Sequence, residues 1–443
     1  MIRLAFLLLG ARGLRPQWRI LALAGGAWCL LGLLMLFDLS DGRMSVLTDT
    51  LGILLVIEGA VELGAALVLG LRSNWRGLLR GLGFLLAGFL VADIPWDNNI
   101  GSTILFGTAF LIDGLLRISA ALVVHNRRWR QGLLAGGTEI VISILVLLDH
   151  PVPHRLTVPF CLALLLLTSG YALLAMAMQL RRLSPGASVT SLPLYAARNW
   201  HGRPEISRAE AVAGPEFPDQ TLLVHVWTAM GTAEDAYGQP VVRRYIAAVD
   251  GQGVVSTGHA ALELPPDLYV SHYPAVEIDR DSEHFRQALH SGVQNNVAGR
   301  FQPSYAEESA EWRPCDRTVT FSRFNPAALR AFWQAYSRDR TYNLTARNCS
   351  TSVIQALDAA MEGIMDDGRP LRALIHLLFD PHFWLLRLVR GRAELMTWTP
   401  GLVLDYAQLL ILVTEHGDRR WRRRLHEAWK ARHMALSSPR IPA

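Results

Sequence analysis

Lysine is all but missing from this chain of 443 residues: Lys430 is the only one, and every other Lys/Arg position is arginine. A coding bias accounts for that skew. No stretch interleaves basic and aromatic side chains across a globular face as an RNA or DNA surface requires. Nucleic acid is therefore not an expected partner, despite a formal charge of +5. Charged residues reach only 18%, against 51% hydrophobic. That balance excludes a disordered or fibrous chain, and a soluble enzyme of this size is seldom so apolar. Cysteine is scarce as well. Cys29, Cys161, Cys315 and Cys349 include no CxxC and fit no disulfide or zinc spacing, so neither a structural metal nor a cofactor is expected. A small-residue cleavage site after the first apolar run is also lacking, and five similar runs follow it. The expected reading is an uncleaved span rather than a signal peptide.

The apolar excess is concentrated between residues 17 and 181. Runs at 17–37, 46–71, 75–95, 101–125, 130–149 and 156–181 each approach the roughly 20 residues that cross a 30 Å hydrocarbon core. They repeat in pairs. Trp18-Arg19, Trp75-Arg76 and Trp129-Arg130 open the first, third and fifth helices, and Asp38, Asp93 and Asp149 close them. The second helix of each pair carries a polar or acidic residue before glycine, as Glu58-Gly59, Asp113-Gly114 and Ser169-Gly170. One two-helix unit has been used three times.

Arginines cluster before the first helix (Arg3, Arg12, Arg15, Arg19), at two junctions (Arg72, Arg76, Arg80; Arg127, Arg128, Arg130) and after the sixth helix (Arg181, Arg182). The opposite loops are acidic or mixed. By the positive-inside rule both termini are expected in the cytoplasm. Glu58, Glu62, Asp113, Arg117 and Glu139 fall within spans, either as mutually neutralising pairs or as a pathway for an ion. No span carries a central proline, so the broken helices of many transporters are not foreseen. This pattern resembles the HdeD family of small bacterial inner-membrane proteins associated with acid resistance. The resemblance covers about 15–182 and implies six helices, but no reaction.

Residues 183–220, with Pro185, Pro193, Pro204, Pro215 and Pro218, read as a linker. Beyond it the chain reads as an α+β domain over 221–362. Strands are expected at Leu222–Trp227, Val241–Val249, Val254–Leu264, Tyr269–Tyr273 and Val319–Phe321, with Asp250-Gly251 as a hairpin turn. Helices are expected at 281–292, at 326–338 and from Cys349 onward. A cysteine in the first turn of a helix meets free N–H groups and the positive dipole end, which favour a thiolate. Asn348 is placed to cap that helix. A nucleophile needs a base and an orienting group, and His259 is an odd choice for packing alone in the strand Gly258-His259-Ala260. His272 follows on the next strand.

Here the sequence resembles the circularly permuted papain-like superfamily, in which the histidine strand precedes the cysteine helix. Gly258-His259-Ala260-Ala261-Leu262-Glu263 looks like its histidine motif, Tyr269-Val270-Ser271 like the following strand, and Asn348-Cys349-Ser350-Thr351 like its cysteine motif. Lecithin retinol acyltransferase and several bacterial peptidases and amidases share this order. The resemblance implies Cys349 as nucleophile and His259 as general base. His272 matches the third polar position by spacing, with Glu263 and Glu277 in competition. Cys315 reads as incidental. Asn343-Leu344-Thr345 has the form of a glycosylation sequon, inert in the cytoplasm.

Residues 363–443 hold apolar stretches at 371–388 and 402–413, expected at a membrane interface or in a groove, and a basic aromatic tail suited to anionic lipid. The leading expectation is a bacterial inner-membrane protein with a cytoplasmic cysteine hydrolase or acyltransferase domain. Its partners would be the lipid bilayer and a protein, peptide or lipid acyl substrate. The alternative is a non-enzymatic membrane stress protein with an inactive papain-like binding module; a third is transport.

Overall fold

The computed structural model describes residues 2–38, 46–69, 75–92, 99–125, 129–149, 153–184, 187–191, 220–228, 248–249, 255–256, 258–276, 278, 287–378 and 380–415. Every expected apolar run forms a helix: α2 (Trp18–Asp38), α3 (Val46–Leu69), α4 (Trp75–Ala92), α5 (Asn99–Val124), α6 (Trp129–Leu147) and α7 (Thr157–Arg182). Ahead of them lies a further helix, α1 (Ile2–Leu14). Among the described residues, four stretches are long and apolar enough to cross a membrane: Ile2–Phe37, Ile100–Val124, Trp129–Leu147 and His154–Arg182. Leu23, Phe37, Leu134 and Tyr171 stand exposed on these helices, a surface suited to hydrocarbon rather than water.

The chain divides into two compact units. One comprises Ala24–Asp113 and Thr138–Tyr171, and the other Met1–Leu23, Gly114–Gly137 and Ala172–Glu415. In the first unit Gly59 and Gly170 are contact points. A Cβ on Gly59 of α3 would lie 2.5 Å from the Leu85 backbone nitrogen and 2.9 Å from the Gly81 carbonyl of α4. One on Gly170 of α7 would lie 2.8 Å from both the Cys29 nitrogen and the Gly25 carbonyl of α2. Only small residues let helix backbones approach so closely. Ser143 adds a hydrogen bond across a helix pair, its hydroxyl donating to the Gly107 carbonyl at 2.7 Å.

The second unit holds the α+β fold. Strands β1 (Leu222–Trp227), β2 (Ala248–Val249), β3 (Val255–Ser256), β4 (His259–Leu264), β5 (Leu268–Val270), β6 (His272–Pro274), β7 (Val297–Phe301), β8 (Arg317–Phe321) and β9 (Thr341–Tyr342) form its described sheets. The main sheet is antiparallel in the order β5-β4-β1-β8, and β6-β7-β9 form a second. Two single strands of the sequence reading are each divided. Gly258, at φ +69°, separates β3 from β4. Ser271 separates β5 from β6, which belong to different sheets. The foreseen helix over 281–292 falls largely outside the described residues, as do most of the Val241–Val249 strand and the basic tail.

Strand alternation sorts the main sheet into two faces. Val224, Val226, Ala260, Leu262, Leu264, Val319 and Phe321 are buried on one. Helices α10 (Cys349–Met361) and α13 (Pro400–Thr414) pack on this sheet. His225, Trp227, His259, Ala261 and Glu263 point to the other face, where α8 (Tyr305–Glu311) packs. Helix α9 (Pro326–Tyr336) packs beside α10.

The 402–413 stretch, expected at a membrane interface or in a groove, packs inside the fold: Val403, Leu404, Tyr406, Ala407, Leu410 and Val413 of α13 are all buried. Within the 183–220 linker, Val189 is fully buried and its N–H donates to Glu362 at 2.6 Å. By contrast, Ile375 of α11 (Pro370–Leu378) and Trp384, Leu385 and Leu388 of α12 (Pro381–Leu395) are exposed. Helix α1 also belongs to this core. Phe6, Leu7, Leu8 and Leu9 are buried, and the Leu7 and Leu8 carbonyls accept from Gly363 and Met365 at 3.0 and 2.9 Å.

Helix α10 is tied down by a buried ion pair. Arg390 of α12 donates through both terminal nitrogens to Asp358 of α10, at 2.7 and 2.5 Å, and to the Tyr406 hydroxyl of α13 at 2.8 Å. Substituting Arg390→Leu should cost about 3–5 kcal/mol, because it strands a buried carboxylate. Chemical denaturation in detergent would check this; an unchanged midpoint would contradict the anchoring role.

Candidate active site

Local sequence builds the cysteine end of the site. Asn343 is fully buried, and its side-chain oxygen accepts from the N–H groups of Thr345 and Ala346 at 3.2 and 3.0 Å. Its amide donates to Asn296 at 2.9 Å and to the Gly292 carbonyl at 3.3 Å. The apparent sequon is therefore a turn-forming asparagine with its hydrogen-bonding positions occupied. Arg347 pins the same turn, donating to Asp339 at 2.8 Å and to the Tyr336 carbonyl at 2.9 Å. Asn348 then caps α10 reciprocally with Thr351: its oxygen accepts from the Thr351 N–H at 2.8 Å, and its own N–H donates to the Thr351 hydroxyl at 2.7 Å. This capping box fixes Cys349 as the first residue of the helix.

The cysteine and the histidine meet. Cys349 is 8% exposed and His259 3%, and the ionisation of each responds to the charge of the other. His259 Nε2 lies 2.9 Å from the Ser271 hydroxyl and 3.1 Å from Glu308 Oε1. Glu308, 1% exposed, is itself held by two phenols: Tyr269 donates to Oε2 at 2.6 Å and Tyr273 to Oε1 at 2.7 Å. The Tyr273 ring stacks on His259, with centroids 4.1 Å apart.

Burial, taken alone, would raise the thiol's pKa and lower that of the imidazole. Both move the other way. For Cys349, burial is outweighed by the charge and hydrogen bond of His259, the Ala260 N–H and the Ser350 hydroxyl, and the net shift is down. For His259, burial is outweighed by Cys349 and the Glu308 carboxylate, and the net shift is up. The arrangement favours a thiolate–imidazolium pair, the activated form of a cysteine nucleophile.

The third residue predicted from sequence, His272, has aromatic neighbours. His272 is fully buried between Phe301, Tyr336 and Tyr342. Its Nε2 faces the Arg340 carbonyl at 3.4 Å, and its Nδ1 has no partner among the described residues. Burial, followed by the nearby Arg347 charge, lowers its pKa to about 3, so it is neutral. Alternation explains the difference: Ser271 reaches His259, so its neighbour His272 points away. Glu263 pairs with His225 at 2.8 Å rather than with His259, and Glu277 lies outside the described residues.

Glu308 was not anticipated, although Ser304-x-x-Glu307 is a helix-start signature. Ser304 does cap α8, accepting from the Glu307 N–H at 3.2 Å. The described residues hold no cluster of three or more His, Cys, Asp or Glu side chains arranged for a metal ion. The chain matches no family model, no curated protein and no solved structure.

Glu308→Gln tests the orienting carboxylate. It keeps an acceptor for a phenol but removes the charge facing His259. The protein should stay folded while Cys349 alkylation by iodoacetamide at neutral pH slows by about tenfold or more; an unaltered rate would remove Glu308 from the site.

Proposed function

We propose that this chain is a membrane-embedded cysteine enzyme that transfers or hydrolyses acyl groups through an acyl-enzyme on Cys349. One observation carries the reading. The buried thiol at a helix N-terminus feels the charge of His259, whose Nε2 faces the buried Glu308 carboxylate. Nucleophile, base and orienting group stand in the order that cysteine acyl transfer requires.

In the proposed reaction the thiolate attacks an amide, ester or thioester carbonyl, and N–H groups of the first turn of α10 stabilise the developing oxyanion. The imidazolium gives its proton to the leaving group, producing an acyl-thioester and a neutral His259. His259 then takes a proton from water, or from an acceptor amine or alcohol, as that group attacks the thioester. Glu308 keeps Nε2 engaged and favours the charged ring at each pass. A permuted papain-like fold is the structural expectation that fits this order of motifs.

The membrane part of the proposal is a six-helix, three-repeat bundle in a bacterial inner membrane with both termini cytoplasmic. The arginine asymmetry supports it, and so does the glycine pattern. Gly114 and Gly136 make the same close approach as the other repeat glycines, a Cβ on Gly136 falling 2.7 Å from the Gly114 carbonyl. In all three cases the second helix of one repeat meets the first helix of the next, the last being followed by the first. Arg19 and Arg130 lie over the rings of Trp18 and Trp129, each at 5.5 Å, giving two of the repeat's Trp-Arg pairs a shared physical role.

The pH dependence follows from the two shifts. Cys349 is lowered, so the thiolate is lost only as pH falls through a value below the ordinary thiol's, about 8.5. His259 is raised, so the imidazolium needed as acid is lost only as pH rises through a value above the ordinary imidazole's, about 6.5. Turnover should be bell-shaped between those limits. His259→Ala should lower it by about 10²–10⁴-fold.

Incubating the full chain with activated esters and acyl-thioesters, followed by intact mass and peptide mapping, checks the central step. An acyl adduct on Cys349 that is absent in Cys349→Ala supports the proposal. Inert Cys349 in a folded protein would overturn it in favour of a non-enzymatic module.

A further inference from the structure

The face of the sheet that carries His259 holds a second arrangement of the same kind. Cys315 stands just ahead of β8, with its sulfur 3.5 Å from His225 Nδ1. His225 Nε2 is 2.8 Å from Glu263 Oε2. Two hydroxyls complete the surroundings of the sulfur: Tyr305 donates to it at 3.3 Å, and Thr318 lies 3.2 Å away. The Tyr305 ring stacks on His225 with centroids 4.1 Å apart and planes 14° from parallel. A thiolate here would face one imidazole and two hydroxyls, three groups able to donate to it at once.

The site is built rather than incidental. The loop bearing Cys315 is fastened to the end of β1: the Trp227 indole donates to the Arg313 carbonyl at 2.8 Å, and Asp316 accepts from the Thr228 N–H and hydroxyl at 2.6 and 2.7 Å. Arg313 closes the loop on Asp316 at 2.7 Å. His225 is buried with its side chain 5% exposed, while Glu263 and Cys315 keep part of their surface open. The site is distinct from that of Cys349, because the Trp227 ring stands between the two histidines, 6.4 Å from His225 and 5.4 Å from His259. Helix α8 serves both, giving Tyr305 to one and Glu308 to the other.

We propose that Cys315, His225 and Glu263 form a second nucleophilic thiol site, which accepts an acyl group from an activated ester or thioester. His225 Nδ1 takes the thiol proton as the sulfur attacks the carbonyl carbon. The new carbon–sulfur bond forms, the bond to the leaving oxygen or sulfur breaks, and the leaving group departs with the proton from His225. The products are S-acyl Cys315 and an alcohol or thiol. Glu263 holds Nε2 and stabilises the charged ring in between. Cys315, half-exposed, is open to a donor in bulk solution, whereas Cys349 is buried. The step does not require Cys349, so the two sites can be tested apart.

The test uses the full chain in detergent carrying Cys349→Ala. It is incubated with p-nitrophenyl acetate and, in parallel, with a small acetyl thioester, then analysed by intact mass and peptide mapping. One acetyl group should appear on Cys315, and His225→Gln or Glu263→Gln should slow its appearance by about tenfold or more. Glu263→Gln keeps an acceptor against His225 and decides the matter should His225→Gln fail to fold. Absence of acetyl from Cys315 in the folded protein would overturn the proposal. So would labelling at the same rate in Glu263→Gln, which would mark Cys315 as merely an accessible thiol.

Discussion

A cysteine sulfur and an imidazole cut off from water can carry charge only together. Separately, burial would leave Cys349 a thiol and His259 a neutral ring; side by side, each supplies the opposite charge that its partner's ionised form requires. Much of the α+β unit bears on keeping that pair aligned. The Asn348–Thr351 capping box sets where α10 begins. The Arg390–Asp358 pair ties α10 to α12, and Glu308, braced by two tyrosines, sets the ring from its far side. Losing the carboxylate would leave two phenols and an imidazole nitrogen facing an unmatched buried space.

The apolar half answers a different constraint. In hydrocarbon, helices gain little from burying leucine against leucine, so close approach of backbones must hold them together. Gly59, Gly114 and Gly170 each meet a small residue of a neighbouring helix. Helix α1 obeys the opposite rule. Its apolar side chains are buried within the α+β unit.

Legibility followed the range of each signal. The six apolar helices are legible because a long run needs no context, and strand β1 because it is short, bounded and rich in β-branched and aromatic residues. Cys349 and His259 stood out for local reasons, one at a helix start and the other as a polar break in an apolar strand. His225 breaks β1 in the same way and went unread, since its partners Glu263 and Cys315 come from distant segments. Glu308 is one of three glutamates in a seven-residue helix, and only packing decides which of them turns inward. His272 follows a change of sheet at Ser271, which spacing along a chain does not register. Helix α1 was concealed for a similar reason: hydrophobicity marks what is buried without saying whether lipid or protein does the burying.

A thiolate–imidazolium pair at Cys349 and His259 can be tested for without any substrate. Titration of the thiolate ultraviolet absorbance, taken as the difference between the full chain and Cys349→Ala in a Cys315→Ala background, reads it directly. The account predicts a midpoint below the ordinary cysteine value of about 8.5, moving above that value when His259 is replaced by alanine. A midpoint at or above the ordinary value in the unmodified site, or one indifferent to His259, would contradict it.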